Sequence, residues 1–449
     1  MNREFNAFSP FATTERFDAS THADRMTRLD SIASEQAVIV GVYLEGEGKS
    51  SSPLSELHSL AEAAGTTVVG ELIQRRRRPE GATYLGSGKV EQLRELIQAS
   101  DANVVIFDND LGPAQTKNLE EILKVKVLDR TELILDIFAS RAQSKEARLA
   151  VELAQLEYSL PRLRKMWTHL ERQMVGGVGL RGPGEKQLEV DRRLAQKRII
   201  DLKDQLKQIH ARREREVSAR KKMSMICLVG YTNAGKSTLL NKLTESDVYV
   251  KDQLFATLDT RTRRWTVPGW GTVLLSDTVG FVRDLPTHLV ASFRATLEEA
   301  NQADLLIHVA DAGSPELARQ ITSVNQVLAD IGLQEKDVLL VLNKIDALES
   351  PERVDALLAQ YPSAIPISAV SGEGLEKLAR TVFDFVEQGF VDLRVEIPIE
   401  NGKIPAYLAK EGEIIAREYD NTRAVVHCRV PRYVLGQLQR EKDIQIETV

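Results

Sequence analysis

The stretch CLVGYTNAGKSTLLNKL, Cys227 to Leu243, decides the fold of half the chain. Inside it, Gly230-Tyr-Thr-Asn-Ala-Gly235-Lys236-Ser237 matches the pattern G-x-x-x-x-G-K-[ST]. An apolar run precedes the pattern and a helically periodic run follows it, which is the strand–loop–helix context that the pattern needs. The backbone N–H groups of such a loop, here Gly230, Tyr231, Thr232, Asn233, Ala234 and Gly235, wrap phosphate oxygens. The helix that opens at Lys236, Ser237 and Thr238 adds the positive end of its dipole. Lys236 is expected to neutralise β- and γ-phosphate charge, and the Ser237 hydroxyl to ligate Mg²⁺.

Working outward, LLSDTVGF ends a strand with Asp277, Thr278, Val279 and Gly280. A carboxylate at a strand end holds Mg²⁺ through water, and the Gly280 N–H reaches the γ-phosphate. VLLVLNKID closes another strand with Asn343, Lys344, Ile345 and Asp346. Asn343 and Lys344 buttress the base and the phosphate loop. The Asp346 carboxylate accepts two N–H bonds that guanine offers and adenine does not, so the pattern selects GTP. Further on, IPISA places Ile367, Ser368 and Ala369 where a backbone N–H meets the guanine O6. Between these motifs lies FATLDTRTRR, with Phe255, Ala256, Thr257, Leu258 and Asp259 at its start. A threonine there senses the triphosphate and its metal ion. Thr257 is the choice, with Thr260 and Thr262 as competitors that spacing does not separate. Lys236, Asn233 and Gly280 are the expected catalytic groups.

The chain has 449 residues, 43% hydrophobic and 28% charged, a soluble globular balance. No apolar run reaches the roughly 20 residues of a membrane span, and the N-terminus lacks a signal-peptide core. Cys227 and Cys428 are too few for a disulfide framework and suit a reducing cytoplasm, with Cys227 read as a core thiol. The net charge of −6 argues against a general nucleic-acid binder, but it is unevenly spread. Residues 161–222 hold 18 Lys and Arg against 8 Asp and Glu, a surplus of ten that leaves −16 elsewhere. A solvated helix face explains such a surplus as well as a polyanion partner does.

Residues 1–35 are polar and aperiodic and are read as a disordered leader. From Gln36 to about residue 130, strand-like and helix-like runs alternate, implying a small parallel α/β domain. Its YLGSGKV has Val90 where a phosphate loop needs Ser or Thr, and is read as a turn before a helix. Over 131–222 the apolar residues Leu149, Leu153, Leu156, Leu160, Leu163, Trp167, Leu170 and Met174 keep a heptad rhythm, with a kink expected at Pro161. A second such helix carries Leu188, Ala195, Ile199, Leu202, Leu206 and Ile209. Two such helices joined by a short loop fold back as an antiparallel hairpin, its first arm of ~26 residues about 39 Å long. The joining stretch MVGGVGLRGPGEKQ formally contains G-x-G-x-x-G, but it follows a helix rather than a strand and fails as a dinucleotide site. Gly177, Gly179 and Gly182 then serve a tight tip, with Arg181 and Lys186 beside them to meet RNA. The GTPase domain spans 223–389. Residues 390–449 form a small domain with three strands and a helix.

The expected class is therefore α/β: a P-loop GTPase domain plus an N-terminal parallel α/β domain, a long antiparallel helical hairpin and a small C-terminal α+β domain. The motifs in this order resemble translation-factor-class GTPases. YLGSGKVEQL, FDNDLGPAQTKNLE, DRTELILDIFASRAQSKEARLAVELAQLEYSLPRL, GGVGLRGPGEKQLEVDRR and GYTNAGKSTLLNKL together closely resemble the HflX family. That resemblance implies a cytoplasmic GTP hydrolase that binds the large ribosomal subunit and splits or rescues stalled ribosomes. It implies a hairpin tip that reaches ribosomal RNA near the peptidyl transferase centre, and Mg²⁺ held by Ser237 and Thr257. A monomer without a membrane span is expected.

Two residues bear on mechanism. Phe281 stands after D-x-x-G, where many small GTPases carry a glutamine that orients water, so slow intrinsic hydrolysis stimulated by the ribosome is expected. Asn233 stands where potassium-activated GTPases place an asparagine, so K⁺ is a candidate cofactor beside GTP and Mg²⁺. Two other functions compete: an RNA-remodelling NTPase acting through the N-terminal domain, and an assembly factor that binds precursor large subunits without splitting anything.

Overall fold

The computed structural model describes residues 34–44, 53–166, 183–218, 224–245, 255, 261–269, 271–283, 298–420, 422–439, 441 and 443–449. The N-terminal sheet contains β1 (Gln36–Leu44), β2 (Thr67–Arg76), β3 (Val104–Phe107) and β4 (Lys126–Asp129), in the order β2-β1-β3-β4 with every pairing parallel. Its crossovers are α1 (Ser55–Ala63), α2 (Ser87–Ser100) and α3 (Pro113–Leu123). Val38, Val40 and Val42 of β1 face α2 and α3, while Ala37 and Ile39 face α1. Both faces of β1 are thus covered, which explains its unbroken apolar run. GSGKV opens α2, as a turn before a helix should. Pro113 sits at the start of α3, and the Gln115 side chain reaches back to the Gly112 N–H at 2.8 Å.

α4 (Arg130–Arg141) is capped by Asp129, whose carboxylate accepts the Glu132 N–H at 2.9 Å. α5 (Lys145–Met166) continues through Pro161, and α6 (Pro183–Ser218) is the longest described helix. Lys145 at the start of α5 lies beside Gln208 and Arg212 near the end of α6, so the two helices run antiparallel. Leu149, Leu153 and Leu156 meet Leu202 and Leu206 in one core with α1 and α4. Arg198 clasps Glu152 with two bonds of 2.6 and 2.8 Å, and Lys203 pairs with Glu157. Gly177, Gly179, Arg181 and Gly182 lie outside the described residues, and Lys186 is placed on the first turns of α6.

The GTPase domain runs through β5 (Met225–Gly230), α7 (Lys236–Thr244), β6 (Arg261–Val267), β7 (Gly271–Asp277), α8 (Glu298–Gln302), β8 (Leu305–Asp311) and α9 (Leu317–Asp330). It ends with β9 (Val338–Asn343), α10 (Pro351–Gln360), β10 (Ile365–Pro366) and α11 (Leu375–Gln388). The sheet order is β10-β9-β8-β5-β7-β6, parallel except for the antiparallel β6–β7 pair. Cys227 is fully buried on β5.

The C-terminal domain holds more than its sequence signals. Besides β11 (Phe390–Pro398), β12 (Glu413–Tyr419), β13 (Arg423–Pro431) and α13 (Arg432–Leu438), it has α12 (Lys403–Glu411) and β14 (Gln445–Thr448). The order β12-β13-β11-β14, all antiparallel, makes a β-α-β-β-α-β unit with both helices against one face.

Candidate nucleotide site and its comparison with known proteins

The phosphate loop connects β5 to α7. Gly235 has φ +92°, and a Cβ there would lie 2.3 Å from the Asn343 amide nitrogen, so only glycine fits. That amide donates to the Ala234 carbonyl at 2.9 Å, while the Asn343 side-chain oxygen accepts the Ala369 N–H at 3.0 Å. One buried side chain thus ties the phosphate loop to the guanine loop, as its motif predicts. Ile367, Ser368 and Ala369 are buried; Asp346 is exposed on a single helical turn, free to meet a base. Lys344, with φ +64°, pairs with Asp311 at 2.8 Å.

Lys236 is buried, and its ammonium donates to the carbonyls of Gly230 and Tyr231 at 3.0 and 2.9 Å. Burial pushes this group down to about 8, against the pull of Asp277. Burial, then the Lys236 charge, pushes the neighbouring His308 down to about 4, so it is neutral at pH 7. The Ser237 hydroxyl donates to the Asp277 carboxylate at 2.5 Å. This is a hard hydroxyl–carboxylate oxygen pair beside the phosphate cradle, and its chemistry fits Mg²⁺. Thr278 anchors the D-x-x-G turn by donating to the Leu228 carbonyl at 2.7 Å.

The D-x-x-G turn lies on the phosphate loop. The Thr232 N–H donates to the Phe281 carbonyl at 2.7 Å, and the Phe281 N–H to the Gly230 carbonyl at 3.1 Å. A Cβ at Gly280 would come within 2.8 Å of the Thr232 Cα and 3.1 Å of the Lys236 ammonium, so a side chain there would part the two loops. Phe281 is buried among Cys227, Val229 and Tyr231, with its ring in the core. Asn233 is exposed with φ +61°. Thr238 is half-buried in the first turn of α7, and Val279 joins the apolar core shared with α4 and α5.

The stretch between the motifs divides. Ala256, Thr257, Leu258, Asp259 and Thr260 lie outside the described residues. Thr262 is on β6 and shares a 2.8 Å bond with Ser276. Phe255 packs edge-to-face on Phe138 of α4, ring centroids 4.6 Å apart, in the core that also holds Val279 and Val282. Its aromatic bulk, not a polar contact, places it there.

The structure adds residues that motif reading missed. Glu56 of α1 accepts from Arg130 and from the Arg283 N–H at 3.3 Å. The same N–H donates to the hydroxyl of phosphate-loop Tyr231 at 2.7 Å. Asp108, after β3, accepts from Arg130 at 2.7 Å and from Arg283 at 2.7 Å. The segment after D-x-x-G therefore bonds carboxylates of the N-terminal domain, and the phosphate loop joins it through Tyr231. The only prior signal was an acidic residue at the end of a parallel strand.

Three family models match consecutive parts of the chain: "GTP-binding GTPase N-terminal" over 51–139, "GTP-binding GTPase Middle Region" over 141–220 and "50S ribosome-binding GTPase" over 225–344. GTPase HflX of Escherichia coli is 44% identical over 375 residues, covering 83% of this chain and 88% of that protein. The HflX of Flavobacterium psychrophilum is 46% identical over 386 residues, covering 81% and 93%. That of Lacrimispora saccharolytica is 40% identical over 412 residues, covering 91% and 96%. Among solved structures, the complex of SsGBP with GDP is 28% identical, with a TM-score of 0.46, covering 79% of this chain and 99% of that one. With its three regions and its guanine-nucleotide loops in place, the chain belongs to the HflX family of GTPases and hydrolyses GTP.

Proposed function

We propose that this GTPase binds the large ribosomal subunit and uses GTP to split or rescue stalled ribosomes in the cytoplasm. The observation that supports it best is the contact of Arg283, whose backbone N–H also meets the Tyr231 hydroxyl, with Glu56 and Asp108. Through it, a change at the γ-phosphate acts on the domain that shares its core with α5 and α6, the two helices of the arm. The description "50S ribosome-binding GTPase", matched over 225–344, agrees with a ribosomal partner, and the basic surplus of residues 161–222 with an RNA-facing arm. The tip residues Gly177, Gly179, Arg181, Gly182 and Lys186 are its proposed rRNA contacts.

In this reading Lys236 leaves the Gly230 and Tyr231 carbonyls for the β- and γ-phosphates. The Gly280 N–H turns to the γ-phosphate, which requires the Thr232–Phe281 bonding to open. Asp346 holds the base. Mg²⁺ bound by Ser237 and Thr257 would supply charge neutralisation at the phosphates. Sucrose gradients of stalled ribosomes with protein and GTP test the reading. Free subunits with GTP or a non-hydrolysable analogue support it. Intact ribosomes with protein bound only to precursor large subunits would favour an assembly role instead.

A further inference from the structure

A second cationic segment lies on the N-terminal domain. β2 is the outer strand of its sheet, and it runs into four consecutive arginines, Arg75 to Arg78. Arg75, Arg77 and Arg78 are exposed. Arg76 turns inward, pairs with Glu80 at 3.1 Å and lies against Gly86, where a Cβ would be 2.7 Å from its guanidinium. Among the described residues, Arg75 and Arg78 form no ion pair.

The strip is held firmly. Glu80 and Tyr84 exchange backbone bonds of 3.0 Å, closing a tight turn directly after the arginines. Gln115 and Asn118 of α3 donate to the carbonyls of Glu80 and Ala82. The Gln74 side chain accepts the Gly86 N–H at 3.0 Å. Lys89, half-buried, sits in the first turn of α2, a turn that carries no acidic residue. The exposed Arg75 and Arg78 charges, without ion pairs among the described residues, can meet an anion.

We propose that Arg75, Arg77 and Arg78 form a docking strip for the phosphate backbone of structured RNA, a second contact beside the hairpin tip. In the cell this rests on the ribosome-binding reading, which supplies ribosomal RNA as the partner. The strip reads backbone charge and carries no base specificity.

The test uses the full chain and two variants, R75Q/R77Q/R78Q and R75K/R77K/R78K. Binding is measured to purified large ribosomal subunits and to a protein-free RNA duplex, across a salt series. GTP affinity and the unfolding midpoint serve as folding controls. The glutamine variant is expected to bind both probes about tenfold more weakly or worse. Its plot of log affinity against log salt should be shallower by roughly two to three. The lysine variant should keep most of both. Wild-type affinity and slope in the glutamine variant overturn the strip. So does a loss on subunits with none on the duplex, which would mark an acidic protein as the partner. If the wild-type chain ignores large subunits, the ribosome reading falls. The duplex then decides the strip alone: a glutamine-sensitive affinity supports it, and no affinity overturns it.

Discussion

The Arg283 guanidinium, just beyond the D-x-x-G turn, donates to Asp108 of the N-terminal domain at 2.7 Å, across 175 residues of sequence. The other oxygen of Asp108 is held by Arg130 at 2.7 Å. Asp108 and Arg130 side chains are only 2% and 3% exposed, whereas Arg283 is 38% exposed. The nearby carboxylates of Glu56 and Asp108 hold the Arg130 guanidinium charged despite burial. Removing one partner of a buried pair strands the other charge. Asp108→Ala should therefore cost about 3–5 kcal/mol of stability. Arg283→Ala should cost only about 1 kcal/mol, since its side chain is 38% exposed and Asp108 keeps its bond to Arg130. Urea unfolding of both variants measures the difference, and equal losses would disprove the ordering.

Removing Arg283 has a second consequence. Its side chain ties the segment after Gly280 to the N-terminal domain, while its backbone N–H is held by Tyr231 and Glu56. In Arg283→Ala, amide hydrogen exchange at residues 281–283 should quicken several-fold without a matching change in β5. Unchanged exchange would mean that the Thr232–Phe281 bonds alone set the loop.

Lys236 predicts a pH dependence. Its folded value is near 8, below the ordinary lysine value of 10.5. Between these two values the unfolded chain binds the extra proton, so this group's contribution to stability rises with pH from about 8 to 10.5 and is least favourable below 8. Triphosphate oxygens restore the charged form. GTP binding near pH 8–9 should thus take up a proton, and affinity should fall as pH rises through 8. Calorimetry in buffers of different ionisation enthalpy reads this directly; a binding heat independent of buffer excludes it.

Phe281 cannot be converted into a water-orienting residue by a simple swap. Its ring is buried among Cys227, Val229 and Tyr231, so Phe281→Gln buries an amide in an apolar site and should cost about 2–4 kcal/mol. Intrinsic hydrolysis in that variant should stay at or below the wild-type rate, and large subunits should stimulate the wild type. A faster intrinsic rate in the variant would show that the side chain reaches water after all.

These residues also show what a sequence carries. Asn343, Lys236, Asp277 and Gly280 were legible because phosphate and guanine chemistry fixes residue types within short motifs that neighbouring strand ends bring together. Glu56, Asp108 and Arg130 were not, because their partners lie 22 to 227 residues away and an Asp after a strand has no pattern of its own. The packing of Phe255 on Phe138 was not legible either, because a lone aromatic residue has no motif for its core partner. The heptads of α5 and α6 announced themselves through a repeat. The four-residue β14 was too short to do so, and Pro405 near its start hid α12.

Asn233 supplies the last prediction. Its side chain is exposed at the phosphate loop on a residue with φ +61°, a conformation asparagine tolerates better than most residues. A monovalent cation held there would place positive charge beside the phosphates, the role an arginine finger plays elsewhere. Subunit-stimulated hydrolysis should then be on the order of tenfold faster in KCl than in NaCl. Asn233→Ala should erase that difference while leaving GDP affinity within a few-fold of wild type, because the loop's phosphate-binding N–H groups remain. Two readouts separate the roles. If the rates in the two salts match in the wild-type protein, the asparagine only shapes the loop, and Asn233→Ala should then reduce GDP affinity instead.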